Sequence, residues 1–394
     1  MTHSDVVVIG AGIMGAAVAY FATQAGASVT VVERGLPGSG TSSHCEGNIL
    51  LSDKELGPEL DLTLYSLGVW KNDLAHVATD WEFEAKGGII VASKESSLAS
   101  LSRLTTAQRS RGIQAEEVDT ERLLELEPWI TDKALGAAYY PQDAQVQPVL
   151  AATGMLGLAR AAGARVMVNS PVTELIRHGD RVVGVRTPNG DVTADAVVNT
   201  SGTWAGGIAA LAGVNVPVRP RRGFVMVTEP LPPRIRRKVY AAEYVDNVGS
   251  SDAGLQSSPV VEGTPAGTIL IGSTRERVGF EDRVAVDGLR TMAQNAVALF
   301  PFLAQTRIMR HYHGFRPYCP DHLPVMGHDD RAPGLWHACG HEGAGIGLSV
   351  GTGKLLAQAI TGEQPDMDLT PFAPSRFGEG APEITLTENG EVAA

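Results

Sequence analysis

Two stretches of this 394-residue chain present main chain where most proteins present side chains. The first is VVVIGAGIMG, Val6 to Gly15, in which Gly10, Gly12 and Gly15 are spaced as GxGxxG. The second, GHEGAGIGLSVGTGK, runs from Gly340 to Lys354, more than 300 residues later. Free N–H groups at the start of a helix attract anions, because the first amides lack partners and the helix dipole is positive there. In the first stretch Gly10 permits a tight turn, Gly12 lets a pyrophosphate approach the backbone, and Gly15 lets helix and strand pack closely. Glu33, at the end of the next apolar run, is placed to accept hydrogen bonds from a ribose diol. An acid there favours FAD or NAD over NADP. The second stretch ends in GTGK, but Leu348 stands where a phosphate-binding P-loop needs its first glycine, and Leu355 follows Lys354 where Ser or Thr is needed. ATP binding is therefore not expected.

Other chemistries are less well supported. His311, His313, Cys319, His322, His337, Cys339 and His341 crowd one region. A zinc site wants four ligands at compatible spacing. HYH puts two rings on one face of a strand and HACGH spans a strand-to-turn junction, but the flavin implied by the resemblance given below accounts for this region better, so no metal is expected. Neither a Ser-His-Asp nor a paired-carboxylate pattern is visible. The basic run Arg219, Arg221 and Arg222 reads as a solvated or interdomain face.

The elements that must hold these residues follow from local pattern. DVVVIG is a buried strand, GIMGAAVAYFATQAG a helix closed by Gly26, and ASVTVVER a second buried strand. This βαβ unit implies a parallel sheet covered on both faces. Further on, QPVLAATGMLGLARAAGARVMV gives helix then strand, and VTELIRHGDRVVGVRTPNGDVTADAVVNTSG a meander with turns at His178–Asp180 and Pro188–Gly190. Alternating strands such as GFVMVTEP and GTILIGSTRE precede a helix around Leu289 to Leu299. GLWHACGHEGAGIGLSVGTGKLLAQAITG closes the chain with strand, glycine turn and helix. The expected class is α/β: a Rossmann-like dinucleotide-binding domain, an FAD-binding one by the family resemblance given below, with an inserted α+β substrate domain carrying a mixed or antiparallel sheet. The expected division is 1–80, 145–215 and 310–376 for the first domain and 81–144 and 216–309 for the second, with a loose acidic tail at 377–394.

Composition narrows the partners. A net charge of −12 argues against nucleic acid or an anionic membrane surface. Hydrophobic content of 43% with 19% charged residues is that of a folded globular chain. Cys45, Cys319 and Cys339 form no pairing framework, and no signal peptide or membrane span is read, so a cytoplasmic protein is expected.

Taken in order, GAGIMG…VVER, GTSSHCEGNI, ADAVVNTSGTWA, GFRPYCPDHLPVMG and GHEGAGIGLSVGTGKLLAQAI resemble the D-amino-acid oxidase and glycine oxidase family of FAD enzymes. GNILLSDKELGPEL and GHEG are most similar to β subunits of opine oxidases, D-hydroxyproline dehydrogenases and hydrogen cyanide synthase. The resemblance implies one long FAD. Gly10, Gly12, Ile13, Met14, Gly15, Glu33 and Arg34 would serve its adenosine and pyrophosphate, and Thr41, Ser42 and Ser43 would close over the phosphates. Gly47, Asn48 and Ile49 would pass beside the flavin. Val172, taken as a strand residue, would meet adenine, and Gly202 the ribityl chain. Gly340, Glu342, Gly343, Ala344, Gly345, Ile346 and Gly347 would face the flavin, the glycines because side chains would block its approach. Arg316 in GFRP matches the carboxylate-binding arginine, His341 would lie near the flavin, and Tyr240 and Tyr244 fall where relatives carry a substrate lid. Gly314 stands where relatives with covalent flavin have cysteine, implying non-covalent FAD. Cys319 is expected close to the flavin.

The implied reaction is oxidation of an amino acid or secondary amine by hydride transfer from Cα to flavin N5, giving an imine that hydrolyses. A dehydrogenase β subunit with electron-accepting partners is expected. A free-standing oxidase using oxygen, an NAD-linked dehydrogenase and a non-catalytic assembly subunit are the alternatives, and a homo-oligomer stays open.

Overall fold

The computed structural model describes residues 2–243, 245 and 250–378. Strand Thr2–Ile9 shows how the fold is built. From Val6 to Ile9 it is at most 4% exposed, and alternate side chains enter different cores. Val6 and Val8 pack with the first helix, Ile13–Gln24, and Val7 and Ile9 with the helix Ala205–Leu211. Burial on both faces is what a parallel sheet between helical layers demands.

That strand pairs in parallel with Val29–Val32 on one side and Val192–Asn199 on the other. Arg165–Met167 and Leu335–Cys339 extend the parallel sheet outward, and Val325–His328 closes one edge antiparallel. The expected meander is present as Glu174–His178 and Arg181–Arg186, hung antiparallel on Val192–Asn199. The last helix, Gly345–Ile360, lies against the first so closely that a Cβ on Gly353 would stand 2.7 Å from the Ala17 carbonyl carbon.

A second sheet has the order Ile308–Tyr318, Arg219–Thr228, Ile269–Arg275, Gln256–Gly263, Lys238–Ala241, Gly88–Ala92, Gly136–Tyr140, Glu116–Val118. It is antiparallel except where Lys238–Ala241 meets Gly88–Ala92. Phe224, Met226, Ile269 and Ile271 pack with Met292, Ala296 and Leu299 of the helix Val286–Leu299. The chain therefore combines a doubly covered parallel sheet with a mixed second sheet. Ile308–Tyr318 pairs along its length with Arg219–Thr228, so residues 310 to 318 hydrogen-bond within the second sheet. Among the described residues, no helix is long and apolar enough to cross a membrane.

The basic run is not a solvated face at Arg221 and Arg222; Arg221 Nη1 lies 3.6 Å from Glu342 Oε2, just ahead of the last helix, as the interdomain alternative would have it. Arg219 is exposed, but Arg221 and Arg222 are only 1% and 3% exposed. Arg222 Nη2 lies 2.8 Å from Glu276 Oε1, and Arg221 Nη2 donates to the Ser250 carbonyl at 2.9 Å. The strand is internal to its sheet, and buried guanidinium groups there are tolerated because carboxylates and carbonyls meet them.

Candidate active site

A cavity of about 640 Å³ runs between the two sheets, within the usual size of a cofactor or ligand site. One end is built at the carboxyl ends of the parallel strands. Gly10 turns with φ +106°, and a Cβ there would sit 3.0 Å from the Thr200 carbonyl oxygen. At Gly15 a Cβ would overlap the Gly10 carbonyl oxygen, so this glycine lets helix and strand touch and does not reach the cavity wall. Gly12, Ile13 and Met14 do line the cavity. The Ile13 amide donates to Ser42 Oγ at 3.0 Å, which ties the loop of Thr41 and Ser42 to the head of the first helix. Glu33 accepts from the Ala11 and Gly35 amides, each at 2.8 Å, and its carboxylate is thereby fixed at the wall. Arg34 lies 3.7 Å from the Trp204 ring centroid, and that ring stacks on Phe280. Val172 also lines this end, from an irregular segment before the strand Glu174–His178 and not from within a strand, and Gly202 lies nearby.

The far end is made by the head of the last helix. Cys339, His341, Glu342, Gly343, Gly345 and Ile346 line it. A Cβ on Gly343 or Gly345 would meet nothing nearer than 3.6 Å, so the backbone there is bare toward the cavity. His341 is 3% exposed, Nε2 lies 3.1 Å from Thr352 Oγ1, and burial pushes its pKa down to about 3. It is neutral near pH 7, which rules out an imidazolium there. Burial likewise pushes the Cys339 thiol up to about 12, so it stays protonated. Glu342 turns with φ +45°; its Oε1 lies 3.0 Å from His322 Nδ1 and accepts from the Cys319 amide at 3.3 Å.

The third wall is the second sheet, where three glycines on adjacent strands leave room for side chains above them. A Cβ on Gly223 would overlap Arg316 Nη1, and one on Gly314 would stand 2.6 Å from His44 Cβ. One on Gly272 would lie 2.8 Å from both carboxylate oxygens of Glu46. Arg316 is half-buried on the cavity wall, and Nη1 donates to the Thr274 carbonyl at 2.9 Å.

Several expected residues lie elsewhere. Tyr240 is fully buried in the strand Lys238–Ala241, its hydroxyl on Ser52 Oγ, and is absent from the cavity wall. Tyr244 lies outside the described residues. Ser43 Oγ is turned to the Gly40 carbonyl and His44. A Cβ on Gly47 would overlap the Val146 carbonyl oxygen, and Ile49 is a core residue paired with Ala144. Gly340, with φ +75°, turns the chain behind the wall, packed on Val218. A Cβ on Gly347 would stand 3.3 Å from Ile49 Cα, and Gly347 and Ala344 border a pinhole of about 10 Å³ beside Asn48. Asn48 itself reaches the main cavity. Cys319, expected near the flavin, is fully buried beyond the wall among Val218 and Val325, so Cys45 and Cys339 are the thiols that face the cavity. Sequence reasoning missed Trp204 and Glu46, although both sit inside quoted motifs, because nothing in their spacing marks a buried carboxylate or a stacked ring. Among the described residues no three His, Cys, Asp or Glu side chains gather as a metal site.

This geometry fits FAD. An acid and a cationic stack stand at one end, a glycine turn with a helix N-terminus in the middle, and a second bare helix N-terminus at the other end. Residues 5–359 match the family model described as FAD dependent oxidoreductase. The chain is 31% identical to glycine oxidase of Geobacillus kaustophilus over 95% of its own length and 98% of that protein. It is 33% identical to hydrogen cyanide synthase subunit HcnC of Pseudomonas aeruginosa, over 67% of this chain and 60% of that one. The crystal structure of the Geobacillus kaustophilus glycine oxidase superposes with a TM-score of 0.86, covering 95% of this chain and 99% of that chain. From the cavity and the match together, the chain belongs to the DAO family of FAD-dependent oxidoreductases.

Proposed function

We propose that this chain oxidises the C–N bond of an amino acid or secondary amine, working as the flavoprotein subunit of a dehydrogenase. The observation that carries the reading is Arg316, whose guanidinium shares a cavity with the bare head of the last helix. When bound, FAD supplies the acceptor for a hydride from the substrate Cα; the protein supplies the rest. Arg316 grips the substrate carboxylate through its planar fork. The Gly343–Ile346 amides favour negative charge at the flavin, by roughly 0.3–1 kcal/mol for a helix terminus in water and more when shielded. Val225 and Ile346 line the wall and limit water around the reacting carbon. Neutral His341 and the protonated thiols of Cys45 and Cys339 supply no charge there.

The FAD is held non-covalently in this reading, since Gly314 offers no side chain for a tether and His44 covers it. The FAD-binding and substrate domains divide near residues 80, 144, 215 and 309 in this reading, with Ile308–Tyr318 paired inside the second sheet. A cytoplasmic location, electron-accepting partner subunits and a small amino-acid or amine substrate complete the proposal. The test is anaerobic mixing of the purified flavoprotein with D-amino acids, N-substituted glycines and prolines. Bleaching of the visible flavin band by one of them supports the reading, and sluggish reoxidation in air supports a dehydrogenase. A flavin that none of them reduces sinks it.

A further inference from the structure

The mechanism so far leaves the substrate nitrogen without a partner. Glu46 stands on the same cavity wall as Arg316 and is 8% exposed. Its Oε1 has no hydrogen-bond partner, although Lys238 Nζ stands 3.9 Å away. Lys238 is itself engaged by Glu262 and Asn48. A buried carboxylate oxygen left without a donor is costly unless something else supplies one. The sheet beneath is shaped for this pair: Gly272 makes room for Glu46, and Gly223, on the neighbouring strand, makes room for Arg316. A carboxyl group and a guanidinium thus stand on one wall over two side-chain-free positions.

We propose that Glu46 receives the amino group of the substrate, so that Arg316 and Glu46 bind the two ends of an α-amino acid and select amines over alcohols and ethers. This rests on the amine-oxidising reading above. An ammonium group brought to Glu46 passes one proton to the carboxylate oxygen: the N–H bond breaks, an O–H bond forms, and the nitrogen lone pair is freed to form the C=N bond. Five groups around Glu46 bear on that transfer. Burial raises the Glu46 pKa above the ordinary carboxylate range, Glu262 raises it further, and Lys238, Arg316 and Arg275 oppose them. The adjacent Cys45 thiol is protonated, its pKa pushed up to about 12. A raised pKa makes the carboxylate a better proton acceptor, which is what the transfer needs.

The test uses the holoenzyme and matched probes. Glycine, N-methylglycine and proline are each compared with the counterpart lacking a basic nitrogen: glycolate, methoxyacetate and tetrahydrofuran-2-carboxylate. Binding is read from the shift of the visible flavin spectrum. In Glu46→Gln the amino acid that reduces the wild-type flavin binds about 10- to 100-fold more weakly, while its nitrogen-free counterpart binds as in wild type. Glu46→Asp, which keeps the charge but withdraws it by one methylene, gives a smaller loss, and flavin content reports that both variants are folded. Equal affinity of wild type and Glu46→Gln for both members of the pair overturns the assignment, as does an equal loss for both. A wild-type flavin that no amino acid in the panel reduces overturns the functional reading itself, and Glu46's role with it.

Discussion

Arg316 occupies the space that a side chain at Gly223 would need: a Cβ there would overlap its Nη1, which donates to the Thr274 carbonyl at 2.9 Å. This guanidinium on the cavity wall is therefore positioned by the absence of an atom on the neighbouring strand. A Cβ at Gly223 would also stand 2.5 Å from the Thr274 carbonyl oxygen, so Gly223→Ala is expected to displace the guanidinium, push on the neighbouring strand and raise KM, while leaving bound FAD in place. Arg316→Ala should raise KM roughly 10- to 100-fold, the worth of a charge-assisted pair, and Arg316→Lys should fall between. Steady-state kinetics with flavin content as the folding control decides it; a KM unchanged in both Arg316 variants would remove the residue from the site.

The turn at the opposite end makes a harsher demand. A Cβ on Gly15 would overlap the Gly10 carbonyl oxygen and stand 2.8 Å from Thr200 Oγ1. Gly15→Ala must push the first helix off the strand it packs against, a shift of the kind that costs about 1–3 kcal/mol. Thermal melting should show a lower midpoint together with less bound FAD. A variant that melts and binds as wild type would contradict the packing described.

Trp204 meets the Arg34 guanidinium 3.7 Å from its ring centroid and stacks on Phe280. A cation–π contact at a partly exposed site contributes about 0.5–1 kcal/mol. Trp204→Leu should accordingly weaken FAD by about 2- to 5-fold, and turnover at saturating FAD should be unchanged. A fall in turnover at saturating FAD would place Trp204 in the chemistry instead.

Glu127 gives a pH signature far from the cavity. It is fully buried, its pKa is pushed up to about 7 by burial, and it accepts the Arg236 and Arg237 amides. The folded state holds its proton longer than the unfolded chain does, so Glu127 costs stability as pH rises from about 4.5 to 7. Buried His341, with its pKa lowered to about 3, acts in the opposite sense below pH 6.5. The difference between variant and wild type isolates Glu127. Chemical denaturation should find Glu127→Gln gaining on wild type between pH 5 and pH 8, by up to a few kcal/mol. A constant difference would refute it.

Much of this was legible in the sequence, for a physical reason. A βαβ unit with GxGxxG and a following acid encodes the turn, the helix head and Glu33 locally, within one stretch of chain. The second glycine turn was readable for the same reason. What stayed hidden depends on contacts between distant segments. For Arg221 and Arg222 the sequence left a solvated and an interdomain face open, because their carboxylate partners, Glu342 and Glu276, lie far along the chain. Tyr240 read as part of a lid because nothing local reports that its strand lies inside a sheet. Gly47 and Gly347 read as cofactor contacts, yet the space beside each is filled by Val146 or by Ile49. Glu46 gave no signal, since its significance comes from Gly272 on a strand more than 200 residues away.

The claim that both glycine turns serve one FAD is tested most directly at Gly345. A Cβ there would meet only His341 Cβ at 3.6 Å and Met14 Cε at 3.9 Å, so the protein alone accommodates alanine. Titration of FAD into the stripped Gly345→Ala protein should show affinity lowered about tenfold or more, because the added methyl would point into the cavity where the proposed reading puts the flavin. An FAD affinity equal to wild type would mean that the second turn does not hold the cofactor.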